Sequence, residues 1–578
     1  MSGFGVAAGR RLGGAFGRGL AVALVAALPA LLDLALRFPA YRARIAYLYY
    51  VSGPLKIAAL YVLVLAASAL LYGALLAVPR VGRWLTAALV ATLFTAQMAY
   101  RSAMGGFAGV REVAILAASE AGMTLDAVTS FFSFEMLLWA ALAVLLAATL
   151  VRIARSAVPT TSLARAAALV ALALFAHGAL WNYLYRKCQA FPADPVLHSV
   201  RALVYFDKER REFLSIPRER LAPDVAAGRP DDNVVLILDE SVRYGFLSIN
   251  DPEVGTTPFL LELARRHPGF RDYGLMLAGS TCSMSSEAMI LTGTTRAPDS
   301  ERRALRNPTL FQHAKRMGYR TVLLDAWGTA FPNNFLRDTD LRFVDEHLGG
   351  AALGGPEAHP DLGAADWARR RITSSRGNFV FILKQGAHFH YERAYPSHDP
   401  SYRRFVPTLG LDESYAASRQ RMINSYKNAI AFSVDAFARR LLPDDLNHTT
   451  ILWASDHGQS LQEHGQTYTH CNREIEQALV PFFTLSDSPW TLAHQPRAAR
   501  DASIFYSHHN VYPTVVSLLR KDRAFAHEGF QSLYAAEPEQ PPLYYLYGGL
   551  WGGSTVIPVS GAQLAAFRAD PRRGAPGE

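Results

Sequence analysis

Five apolar stretches crowd the first 185 residues: Leu20–Phe38, Leu55–Val78, Trp84–Tyr100, Phe132–Val151 and Leu163–Trp181. Each approaches the roughly 20 residues that a helix needs to cross a bilayer. One such stretch fits a signal peptide or a buried core helix; five in series do not. The third is short and the first carries Asp33. The chain is therefore expected to begin as an α-helical transmembrane bundle of five spans.

Basic residues near the span ends set an orientation. Arg10, Arg11 and Arg18 precede the first span, Arg80 and Arg83 separate the second from the third, and Arg152, Arg155 and Arg165 surround the fourth-to-fifth junction. All fall on one side if the N-terminus is cytoplasmic. Arg42, Arg44, Arg101 and Arg111 lie on the other, so the bias is modest. An odd number of spans then puts the large C-terminal part outside the cytoplasm. The net charge of +9 suits juxtamembrane arginines facing anionic lipid. No dense basic block interleaves with aromatics, so nucleic acid is not an expected partner.

Four regions follow: 1–185, the transmembrane domain; 186–230, a charged connector; 231–545, a globular domain; and 546–578, a tail. The connector contains Lys208-Glu-Arg-Arg-Glu212, which fits a helix lying on the membrane and equally a solvated one. From Asn233 the pattern alternates. Asn233–Asp239, Tyr319–Asp325, Asn378–Lys384 and Thr449–Ser455 read as buried strands, and Ser418–Leu442 as a helix. Such alternation predicts a mostly parallel sheet flanked by helices. Beyond Asp570 the tail is rich in Arg, Pro and Gly, a composition that favours disorder.

Chemistry concentrates at strand ends, where open α/β sheets build their sites. The strand Ile451–Ser455 ends in Asp456-His457-Gly458, and the strand from Asn233 ends in Asp239-Glu240. Carboxylate and imidazole are ligand types suited to zinc. Between them lies a hydroxyl-rich cluster, Gly279-Ser-Thr-Cys-Ser283-Met-Ser-Ser286-Glu287, followed by Leu291-Thr292-Gly293. Taken singly, Glu240 reads as well as a surface acid, and Ser283 as a loop serine.

Read together, Glu240-Ser-Val-Arg243, the hydroxyl cluster and Ser455-Asp-His-Gly458 resemble the alkaline-phosphatase and sulfatase superfamily. Within it the chain is similar to the membrane-bound phosphoethanolamine transferases, such as those that modify lipid A. The resemblance implies a periplasmic, sulfatase-like α/β domain carried by five inner-membrane spans. It implies Zn2+ held by Glu240, Ser283, Asp456 and His457. Counting three back from Ser286 and nine back from Thr292 both lead to Ser283, the family's nucleophile position, where its typical member has Thr. Gly386-Ala-His388 and His470 match family positions that contact the phosphoryl group or a second zinc region, although His390 stands near His388 and His464 near His470. His508, within Ser507-His-His-Asn510, and the loop acids Glu120 and Asp126 are candidates for substrate binding; for the acids, a solvated loop charge is equally plausible.

The implied donor is phosphatidylethanolamine and the implied acceptor an envelope glycan or a lipid A-type molecule. A phosphoglycerol transferase using phosphatidylglycerol and a membrane-tethered sulfatase or phosphodiesterase are the alternatives. Cys282 does not supply a sulfatase's modified cysteine, because Cys282-Ser-Met-Ser-Ser286 lacks the arginine of that motif. The three cysteines, Cys188, Cys282 and Cys471, cannot reproduce the several disulfides of the lipid A enzymes, and Cys282–Cys471 is open to pairing if the two lie close.

Overall fold

In the computed structural model, the chain is described over 80–104, 127–157 and 215–571, the last with gaps at 222–229, 296–299, 329–335, 355–358, 444, 467, 496–503, 538 and 548–554; before 215 only scattered residues are described besides. It divides into two compact units. One comprises Met1–Val113 with Ser133–Lys208, the other Ala114–Phe132 with Glu209–Glu578.

The described part of the first unit is dominated by two packed helices, α1 (Arg80–Met104) and α2 (Phe134–Ala157). Val90, Phe94, Met98, Trp139, Ala143 and Leu150 form the shared core. The Trp139 indole meets Phe94 edge-on with centroids 6.5 Å apart, and its N–H donates to Ser102 Oγ at 3.0 Å. Within α2, Phe134–Arg152 is an apolar stretch of 19 residues with mean hydropathy 2.2. At 1.5 Å per residue that spans about 28 Å, close to the hydrocarbon thickness of a bilayer. Leu137, Leu138, Val144 and Leu145 of this helix remain exposed, as a lipid-facing side requires. Among the described residues it is the one helix long and apolar enough to cross a membrane. The first, second and fifth expected spans lie largely outside the described residues.

The second unit is built on an eight-stranded sheet in the order β4-β3-β5-β1-β6-β7-β2-β8. The strands are β1 (Asn233–Asp239), β2 (Phe270–Leu277), β3 (Arg320–Asp325), β4 (Glu346–Gly349), β5 (Asn378–Leu383), β6 (Thr449–Ser455), β7 (Leu479–Ser486) and β8 (Tyr506–Ser507). Only β7 runs against its neighbours, so the expected mostly parallel sheet is present. The central strand β1 carries Val-Val-Leu-Ile-Leu, fully buried on both faces. Such unbroken apolar runs are what strands covered by helices on both sides require.

The register of the central strands sets the site. Asp239 stands opposite Ser455 on β6, and Leu238 opposite Leu383 on β5. Glu240, Asp456 and the segment after Leu383 consequently emerge side by side at the C-terminal edge. The chain beyond 545 departs from the expected tail. Tyr544–Tyr547 and Thr555–Pro558 pair as a small antiparallel ladder, and a helix follows over Gly561–Ala569. Leu546 bonds the loop before Ser283 from both sides: its N–H donates to Gly279 O at 2.9 Å, and its carbonyl accepts from Thr281 N at 3.0 Å. Four-residue strands leave too short a periodic signal to be read from sequence.

Candidate active site

Glu240 and Asp456 follow the paired ends of β1 and β6, locked by a hydrogen bond from Asp456 N to Asp239 O of 2.8 Å. Ser241 adopts φ +65°, which turns the chain away and lets its N–H donate to Asp456 Oδ1 at 2.9 Å. His457 N donates to the same oxygen at 2.6 Å. The His457 ring is oriented by Gly458, whose carbonyl lies 2.7 Å from Nδ1. With the Nδ1 proton used there, a neutral His457 presents the lone pair of Nε2 to the site.

Two glycines are required by close approach. A Cβ on Gly458 would lie 2.4 Å from Glu476 O, and one on Gly386, at φ +58°, 2.4 Å from Glu240 O. Gly386 thereby allows Ala387 N to donate to Glu240 O at 2.9 Å, bringing the stretch after β5 against the end of β1.

Ser283 opens the helix α3 (Ser283–Thr292). Its Oγ lies 3.1 Å from His457 Nε2 and 3.3 Å from Glu240 Oε1. His457 Nε2 is 3.3 Å from Glu240 Oε1 and 3.4 Å from Asp456 Oδ2. Glu240, Asp456 and His457 are 3%, 1% and 0% exposed, and each offers a ligand atom within 4.8 Å of the others. Four candidates from three distant segments therefore converge.

The electrostatics fit a cation. Asp456 Oδ2 is buried and has no hydrogen-bond partner, a costly state for a carboxylate oxygen unless a positive ion faces it. Burial pushes the Asp456 pKa well up, reinforced by the Glu240 charge. Burial acts the same way on Glu240, but the hydrogen bond and charge of His457, with His388 and His470, outweigh it and hold that carboxyl below the usual range. Burial alone would depress His457; Asp456 and Glu240 instead raise it to about 9. Two carboxylates around one imidazole retain a proton that a divalent cation would displace. The donor set of two carboxylate oxygens, one imidazole and one hydroxyl matches zinc in type and number.

His470 lies against this cluster, its ring stacked on His457 with centroids 4.6 Å apart and planes 20° apart. His388 lies 5.7 Å from His470 and meets Trp327 edge-on at 5.1 Å. Between the two adjacent histidines geometry favours His388. The His390 Nδ1 accepts from Glu392 N at 3.3 Å, and its Nε2 lies 3.4 Å from Glu413 O. His464 is half exposed, 3.3 Å from Glu476. His508 is buried, with Nε2 2.8 Å from Ser455 O, so it buttresses the end of β6 from beneath; burial drops its pKa to about 3. Glu120 and Asp126 lie outside the described residues.

Further residues support the cluster from around it. Lys384, fully buried, forms an ion pair with Asp239 and donates to the Ser433 carbonyl. Its ammonium lies 4.1 Å from the Phe437 ring centroid and 5.1 Å from that of Trp453. Trp453 Nε1 also donates to Asp239. The residue before Glu240 is thus anchored by a buried charge pair. Glu287, one turn into α3, is buried, and desolvation, with the charges of Asp456 and Glu240, raises its pKa well above the carboxylate range. Phe131, from the segment that belongs to this unit, packs edge-on against Phe389 at 5.1 Å and Tyr415 at 5.8 Å, and Ser414 Oγ donates to the Ser130 and Phe132 carbonyls. Lys384 reads in sequence as the charged end of an apolar strand, and that was the available signal.

The second unit is thus a mostly parallel α/β sheet with a two-carboxylate, imidazole and hydroxyl cluster at its C-terminal edge. The chain belongs to the sulfatase family, whose model matches residues 232–521. Curated relatives include phosphoethanolamine transferase EptA of Salmonella typhimurium, 28% identical over 163 residues, which is 25% of this chain and 29% of the relative. Phosphatidylethanolamine transferase Mcr-2 of Escherichia coli is 26% identical over 167 residues, 26% of this chain and 30% of the relative. These matches span under a third of the relatives' length. Among solved structures, the integral membrane protein lipooligosaccharide phosphoethanolamine transferase A of Neisseria meningitidis superposes with TM-score 0.58 at 19% identity, covering 85% of this chain and 95% of that one. At that identity the likeness concerns the fold.

Proposed function

We propose that the protein is a zinc-dependent phosphoethanolamine transferase that moves the headgroup of phosphatidylethanolamine to an envelope glycan or lipid A-type acceptor. The observation that carries this reading is the Ser283 hydroxyl, 3.1 Å from His457 and 3.3 Å from Glu240, beside an orphaned Asp456 oxygen. The named activities of the sequence relatives support the choice of headgroup.

Glu240, Asp456, His457 and Ser283 would hold the zinc. Zinc in such a site lowers the pKa of an alcohol it contacts and offsets phosphate charge. A serine hydroxyl is otherwise a poor nucleophile near neutral pH. Ser283 Oγ attacks the donor phosphorus. The P–Oγ bond forms, the bond to the diacylglycerol oxygen breaks, and the serine's proton ends on the departing alcohol. The phosphoethanolamine–Ser283 ester then reacts with the acceptor hydroxyl, whose proton is removed as the P–Oγ bond breaks and Ser283 is restored. His388 and His470 flank the cluster and are the proton carriers for the two half-reactions. The amides at the start of α3 add favourable dipoles for the phosphoryl oxygens.

The spans deliver this site to its donor. In this reading five helices hold the protein in the bacterial inner membrane, with 231–545 in the periplasm, 186–230 connecting, and Glu120 and Asp126 serving headgroup binding, while His508, expected from sequence to bind substrate, is buried under β6 and supports the strand instead. The test supplies full-length protein in vesicles with headgroup-labelled phosphatidylethanolamine, phosphatidylglycerol or neither, plus lipid A. Label from phosphatidylethanolamine on the acceptor supports the proposal. Transfer from phosphatidylglycerol alone, or release of free headgroup without acceptor modification, overturns it.

A further inference from the structure

Cys282 and Cys471 form a disulfide across 189 residues. Cys282 immediately precedes Ser283, and Cys471 immediately follows His470. The bridge therefore joins the residue before the proposed nucleophile to the residue after the imidazole stacked on His457. Two hydrogen bonds reinforce it: Cys471 N donates to Thr281 O at 2.7 Å, and Thr281 Oγ1 donates to Asn472 O at 2.7 Å.

The backbone at Cys471 indicates what the bridge holds. Its φ is +64°, a left-handed conformation that costs a non-glycine residue energy and persists where surroundings over-determine it. His470 comes from a segment outside any helix or strand. Its ring lies against those of His457, His388 and Phe389. Thr469, whose Oγ1 lies 3.1 Å from His470 Nδ1, also accepts at its carbonyl from Ser460 N at 2.7 Å. The cross-link adds a covalent tie between this segment and the start of α3.

We propose that the Cys282–Cys471 disulfide is a positioning device of the active site, fixing the His470 imidazole against His457 so that full transfer activity requires the oxidised pair. This rests on the transferase reading for its kinetic consequence and on geometry alone for its structural one.

The test uses full-length, zinc-loaded protein in phosphatidylethanolamine vesicles. It compares untreated protein, protein reduced with a phosphine, the Cys282→Ala/Cys471→Ala variant, the His470→Ala variant and reduced His470→Ala. Reduction adds two electrons and two protons to the disulfide, while the phosphine takes its oxygen from water. The expected result is a fall in kcat on the order of a hundredfold, the size of a lost general acid–base. KM for the lipid should stay within about twofold, and reduction should add no further loss in His470→Ala, as coupled residues behave. Amide exchange should rise over residues 469–473 and stay slow in β1 and β6. An unchanged kcat, multiplying effects in the His470→Ala background, or exchange rising throughout the unit would overturn the proposal. If the double variant does not fold, reduced wild-type protein supplies the same readings. If untreated protein shows no transfer, the transferase reading fails and amide exchange still decides the positioning claim.

Discussion

Replacing Lys384 with methionine tests how the site is held from beneath. Lys384 and Asp239 are 0% and 2% exposed at the side chain, so Lys384→Met leaves a carboxylate buried with Trp453 as its remaining side-chain donor. Burial already raises the Asp239 pKa against the opposing Lys384 charge; without the ammonium, nothing of like strength opposes burial. Breaking a buried pair by removing one partner costs about 3–5 kcal/mol, whereas replacing both with apolar groups is often nearly neutral. Unfolding entropy near 2.1 cal/mol/K per residue, over the about 370 residues Glu209–Glu578, converts 4 kcal/mol into a fall in Tm of about 5 °C. Calorimetry on detergent-solubilised protein should show that fall for Lys384→Met, and recovery of most of it in Lys384→Met/Asp239→Asn. Because Asp239 carries the carbonyl that receives Asp456 N, zinc affinity should drop in the single variant and recover in the double. A Lys384→Met protein with unchanged Tm and zinc affinity would refute the claim that this pair anchors the site.

Other outcomes follow from the same geometry. Ser283→Ala should retain zinc within about tenfold in affinity yet lose roughly a thousandfold or more in turnover, measured by metal titration and headgroup transfer. Zinc binding should release protons. The metal-free His457 titrates at about 9, so between its ordinary 6.5 and 9 the site holds a proton that the metal displaces, and zinc affinity should climb about tenfold per pH unit across that window. Calorimetry in buffers of different ionisation enthalpy counts that proton, and a count of zero at pH 7.5 would contradict the assignment. Glu287 is expected to be a neutral acid, so Glu287→Gln should cost no more than about 1–2 kcal/mol and leave zinc binding intact; loss of zinc would mean that Glu287 is an ionised ligand.

Much of the site was legible because parallel strands announce themselves. Val-Val-Leu-Ile-Leu before Asp239 and Ile-Leu-Trp-Ala before Ser455 are unbroken apolar runs, and acids just past them land at one sheet edge once the strands are neighbours. Ser283 was reachable through motif spacing, although a serine-rich stretch alone does not single it out. The partners at a distance were not legible. Asp239 and Lys384 are 145 residues apart, and a lysine after an apolar strand ordinarily points to solvent. The Cys282–Cys471 bridge and the capping strand around Leu546 depend on tertiary proximity that no local pattern encodes. Of the five apolar stretches, only the helices over Arg80–Met104 and Phe134–Ala157 fall within continuously described residues.

The central claim is that one hydroxyl, activated where three ligands from two distant strand ends meet, carries the transferred group. Protein mixed with phosphatidylethanolamine in the absence of acceptor, quenched in acid and digested, gives peptides for mass spectrometry. A single phosphoethanolamine ester on Ser283, absent from Ser283→Ala and from zinc-depleted protein, is the result expected. A modification on Thr281, Ser285 or Ser286 instead, or transfer at full rate with no adduct under single-turnover conditions, would contradict it.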